Sequence, residues 1–85
     1  MINLIERIIK NNIKNLNYHL VMGYLESKNV YPTEDEAIII TNFLKENYLT
    51  LLKDNSILLN LKGNIRDNIY YEVSNILMNL KNSYL

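Results

Sequence analysis

The sequence predicts a mainly α-helical domain carrying one β-hairpin, and three observations predict it. Apolar residues recur at three- and four-residue spacing through most of the chain. One stretch, Leu49 to Lys62, alternates instead. Between them, Thr33-Glu34-Asp35-Glu36 is a capping box that marks the start of a helix.

The first helix is expected from about Ile2 to Asn15, where Ile2, Ile5, Ile9, Ile13 and Leu16 form one stripe and Leu4 and Ile8 a second apolar row. Its opposite face carries Arg7, Lys10 and Lys14 at helical spacing. Asn17 suits the N-cap of a second helix from about Tyr18 to Lys28, with Tyr18, Val21, Met22 and Leu25 on one face and Leu20 and Tyr24 extending it. Tyr31-Pro32 then breaks the chain, because the residue before a proline is pushed to extended geometry. The capping box opens a third helix, expected to end near Asn47, that turns Ala37, Ile39, Ile40, Phe43 and Leu44 inward and Ile38, Thr41, Asn42 and Lys45 outward.

With Asp54-Asn55-Ser56 as a three-residue loop, Leu49 faces Leu61, Leu51 faces Leu59, and Thr50 faces Asn60. Apolar pairs then share one side of the ribbon and polar pairs the other. Gly63 supplies a hinge, Asn64 an N-cap, and Asp67 an acid in the first turn of a last helix running to about Lys81. Ile65, Ile69, Val73, Ile76, Leu77 and Leu80 stripe that helix, with Tyr70 at the edge and Tyr71 on the far side. Ile57, Leu58, Leu61 and Ile65 also fit helical spacing. The alternative fold class is therefore an all-α bundle of four to five helices.

The order helix, helix, turn, capped helix Thr33 to Glu46, hairpin Tyr48 to Lys62 and long helix resembles the winged helix-turn-helix superfamily, the exit Leu61-Lys62-Gly63 included. That resemblance implies a DNA-binding regulatory or accessory protein whose third helix enters the major groove while the wing touches the backbone. Here Glu34-Asp35-Glu36 sets acids at the start of that helix, where phosphates would otherwise be attracted. Contacts are accordingly expected mainly through the wing and the basic face of helix one. The stretch Ile13 to Asn47, with Thr33-Glu34-Asp35-Glu36-Ala37 and Leu44-Lys45-Glu46-Asn47, also resembles the YqfT-like family of unknown function, which implies a wholly helical fold with Asp54 or Ser56 as an N-cap and Ile57 to Lys62 a helix.

Composition narrows the function classes. At 85 residues and 48% hydrophobic content the chain suits one domain, residues 1–85, with apolar surface to spare. Net charge is zero, which counts against strong nucleic-acid binding and leaves only a local basic patch to serve it. With no cysteine and a single histidine, His19, neither a disulfide framework nor a metal cluster is expected, and no cofactor is implied. No run approaches the roughly 18 apolar residues of a membrane span, and Glu6 and Arg7 interrupt any signal-peptide core, so a cytoplasmic chain is expected.

The candidate DNA contacts are Arg7, Lys10 and Lys14 on helix one, Asn42 and Lys45 on helix three, and Lys53, Asn55 and Ser56 at the wing tip. A solvated charged face and ordinary turn chemistry account for the same residues. Seven tyrosines against one phenylalanine point to surfaces buried on a partner, which makes Leu4, Ile8, Tyr71 and Tyr84 the candidate homodimer interface. No catalytic residue is expected, because nothing near His19 in sequence could act as a nucleophile. Duplex DNA, a second copy and a helical protein partner are thus the competing partners. The last of these defines an interaction module that touches no nucleic acid.

Overall fold

A computed structural model describes residues 15–84, with side chains through residue 82. Its elements are helices α1 (Tyr18–Ser27) and α2 (Glu34–Lys53), a 3-10 segment (Asn55–Leu61), and helix α3 (Asp67–Tyr84). Among the described residues there is no strand, only an isolated parallel bridge between Lys62 and Ile65 across a tight turn.

Asn17 caps α1 through its side-chain oxygen, which accepts from the Leu20 amide at 3.0 Å. The helix buries Val21 and Leu25 and stops where Asn29 adopts φ 64°, a left-handed conformation that asparagine tolerates better than most residues. There the Val30 amide donates back to the Leu25 carbonyl at 2.9 Å. The capping box of α2 is complete, with the Glu36 amide donating to Thr33 Oγ1 at 3.2 Å and the Thr33 amide donating to Glu36 Oε1 at 2.9 Å.

The predicted hairpin does not form. Helix α2 continues six residues past Asn47, and the Asp54 amide still donates to the Thr50 carbonyl at 2.8 Å. Asn47 is not a terminus, because its side-chain amide donates to the Phe43 carbonyl one turn back. Extending the helix keeps Ile40, Leu44 and Leu51 on one buried face and turns Leu49 out. Asp54 then starts the 3-10 segment, its Oδ1 accepting from the Ser56 amide at 2.9 Å. Side chains three apart eclipse in such a turn, so Leu58 and Leu61 both face the core while Leu59 does not.

The leucine pairs expected across the ribbon are therefore split. Leu51 and Leu61 are each 1% exposed, whereas Leu49 is 61% and Leu59 59% exposed. With no wing, the fold class is all-α, which agrees with the alternative rather than the preferred reading. Thr41, expected outward, is buried, and its hydroxyl donates to the Ala37 carbonyl at 2.7 Å.

Gly63 at φ +85° turns the chain from the 3-10 segment towards α3, at a φ that a side chain would strain. Asn64 helps close this turn, its amide donating to Leu61 and its side chain to the Asn60 carbonyl, so it does not cap α3 as expected. Helix α3 starts at Asp67 and buries Ile69, Tyr70, Val73 and Leu77 against the shared core. Leu16, Val30 and Ile65 complete that core from the connecting segments.

Candidate interaction surface

Helix α2 crosses the fold with one face buried and one in solvent. At 100° per residue, Asp35, Ile38, Asn42, Lys45, Leu49 and Lys53 fall within about 80° of arc, and all six are exposed. The face is mixed in character, with two large aliphatic side chains, an amide, two ammonium groups and an acid near its start. A hollow of about 160 Å³ lies beside its first half, where Asn17 and Tyr18 approach Ile38, Thr41, Asn42 and Lys45.

Two other concavities are present. One of about 230 Å³ is lined by Tyr24, Lys28, Ile76, Asn79 and Leu80. Burial raises the Tyr24 phenol above its usual pKa, and the Lys28 ammonium lies 5.8 Å from its ring centroid. The other, about 440 Å³ and shallow, contains the start of α2 and the turn before α3.

That last region holds the most connected polar group among the described residues. Glu36 is 6% exposed. Its carboxylate accepts from the Thr33 amide, from the Arg66 amide at 2.9 Å, from Arg66 Nε at 3.1 and 3.2 Å, and from Arg66 Nη2 at 2.8 Å. Arg66 Nη2 also donates to the Tyr31 carbonyl at 3.2 Å. The hydrogen bonds from the Arg66 side chain lead in holding the Glu36 carboxyl down at about 2. The group belongs to the architecture: one carboxylate ties the start of α2 to the residue before α3. The sequence carries no local signature of this pairing, because Glu36 and Arg66 stand thirty residues apart.

The residues singled out in the sequence are dispersed. Asn42 and Lys45 share the outer face of α2, and Lys53 is its last residue. Asn55 and Ser56 open the 3-10 segment instead of forming a wing tip, and Asn55 Oδ1 accepts from Lys81 Nζ of α3 at 2.8 Å. Tyr71, 56% exposed, lies on the outer side of α3, its ring edge-on to Tyr70 at 5.2 Å. Tyr84 is the last residue of α3, and its side chain lies outside the description. Arg7, Lys10, Lys14, Leu4 and Ile8 lie outside the described residues. His19 is exposed, with its ring 4.1 Å from that of Tyr18.

Among the described residues, no group of three or more His, Asp or Glu side chains could hold a metal ion. No described helix is long and apolar enough to cross a membrane. Comparison with family models, curated proteins and solved structures gives no significant match.

Proposed function

We propose that this chain is a non-catalytic, cytoplasmic helical module that binds other protein surfaces and not nucleic acid. The observation that carries the reading is the outer face of α2, where Leu49, 61% exposed, and Ile38, 36% exposed, stand among polar side chains at helical spacing. Apolar anchors in a polar surround are the anatomy of a helix-mediated interface. Zero net charge supports the same reading, since it supplies no general attraction to phosphates. The two exposed acids at the start of α2, Glu34 and Asp35, oppose docking of that end on a backbone.

The test is fluorescence polarisation with pooled labelled duplexes at low and moderate salt. The module reading expects no change in polarisation at either salt concentration. Binding that falls steeply with salt and weakens when Arg7, Lys10 and Lys14 are changed to Ala would replace it with a duplex-binding role for that row.

A further inference from the structure

The outer face of α2 has an internal symmetry that names its partner. Taken pairwise, Ile38 with Leu49, Asn42 with Lys45, and Asp35 with Lys53 all centre on the same point of the helix, at Phe43–Leu44, to within half a residue or less than about 1 Å. Each pair joins groups that attract: aliphatic to aliphatic, amide to ammonium, carboxylate to ammonium. Asp35 and Lys53 also lie on the same flank of the stripe, each about 60° round the helix from Ile38. A surface with that arrangement is complementary to its own copy turned end for end.

We infer that α2 packs antiparallel against α2 of a second copy of this chain, about a two-fold axis that passes between the two helices at the level of Phe43–Leu44. This deepens the proposed function and rests on it. In the pair, Ile38 meets Leu49 of the second copy, and the two-fold repeats the contact. Between these two apolar contacts, the Asn42 side-chain oxygen accepts from Lys45 of the second copy. A polar pair at the seam costs stability but fixes register and direction. At each end Asp35 meets Lys53 of the second copy, because flank meets like flank when two helices run in opposite directions. A parallel pair would hold the Asp35 and Lys53 side chains at opposite ends of the contact, so only the antiparallel sense lets these charges pair.

The contact spans about 27 Å between its terminal charge pairs. It is narrow, which suits a reversible dimer rather than an obligate one. All the residues involved are exposed along a helix whose other face packs into the core through Ile40, Phe43, Leu44 and Leu51.

The charge pairs supply the test. Asp35→Lys makes a chain with Lys at both ends of the stripe, and Lys53→Asp makes one with Asp at both. Each variant repels its own copy and complements the other. In sedimentation velocity over a concentration series, the wild type is expected to shift from monomer to dimer. Each variant alone should self-associate about tenfold more weakly, and an equimolar mixture should recover the wild-type shift. Circular dichroism of each chain verifies that the helices are retained. Should Asp35→Lys fail to fold, Lys53→Asp and the double exchange Asp35→Lys/Lys53→Asp, which restores both pairs, carry the same comparison.

A wild type that remains monomeric at high micromolar concentration overturns the inference. So does a dimer indifferent to both reversals, or a mixture no better than its components. A monomer that also ignores duplexes leaves the module reading in place with a different partner. Salt-sensitive duplex binding removes that reading whatever the mass.

Discussion

Replacing Glu36 with glutamine removes a charge whose energetic weight can be worked from its surroundings. The carboxylate accepts from four donors, the Thr33 amide and three groups of Arg66, which fills the acceptor capacity of its two oxygens. A glutamine offers one oxygen and turns an NH₂ towards donors. Holding the carboxyl at about 2 rather than its ordinary 4.5 corresponds to at most about 3 kcal/mol of preference for the folded state. The Arg66 side chain is 53% exposed, so solvent screens the pair and about 2 kcal/mol is expected at pH 7. Because the folded value is depressed, this stabilisation is complete above about pH 4.5 and is lost as pH falls towards 2. Urea unfolding followed by circular dichroism, for both chains from pH 7 to 2.5, should show a gap of about 2 kcal/mol that narrows with acid. Other carboxylates titrate in both chains and cancel. A gap that persists unchanged at pH 2.5, or none at pH 7, would refute the assignment of this charge as the tie between α2 and α3.

The helical course of residues 48–61 separates four leucines that a hairpin would treat alike. Leu51→Ala and Leu61→Ala should each cost about 2–5 kcal/mol, and Leu49→Ala and Leu59→Ala less than about 0.5; equal losses in urea midpoint across all four would restore the ribbon. Ser74 Oγ is buried in α3 without a hydrogen-bond partner. Ser74→Ala should therefore raise stability by about 1 kcal/mol, and a lower denaturation midpoint would show that the hydroxyl is bonded after all.

How much was legible in the sequence follows from how far apart the deciding groups lie. The caps of α1 and α2 were readable because Asn17 and Leu20, or Thr33 and Glu36, are three residues apart. The inward rows Ile40, Phe43, Leu44 and Ile65, Ile69, Val73, Leu77 were readable because their period is helical. Residues 49–62 were misread because a short leucine-rich run satisfies a period of two and a period of three at once. Which period wins is set by whether Leu51 and Leu58 find the core formed by Val21, Leu25 and Ile69, and that core is nowhere in the local sequence. Asn47 and Asn64 looked like terminators because asparagine favours caps, yet each spends its side chain on a carbonyl four residues back. The pairing of Arg66 with Glu36 had no sequence signal.

The same register that abolishes the wing also creates the outer stripe. A third helix ending at Asn47 would have carried Asp35, Ile38, Asn42 and Lys45 only, which leaves two of the three pairs without a mate. Carrying α2 on to Lys53 adds Leu49 and Lys53, the two residues that make the face complementary to itself. A single exposed leucine says little, since folded proteins leave much apolar surface in water. The weight lies in the chemistry of the three pairs, since helical spacing by itself gives such a stripe a shared centre. Leu49 is 61% exposed, so covering the rest of it would be worth about 1–2 kcal/mol per copy, and nothing within the described residues does so. A second α2 arriving in the opposite sense covers it with Ile38 and brings the charges into register in the same step. Leu49→Ser should therefore abolish self-association while leaving the folding of the monomer almost unchanged. Loss of both together in the same sedimentation and urea measurements would put Leu49 in the core and end the argument for the stripe.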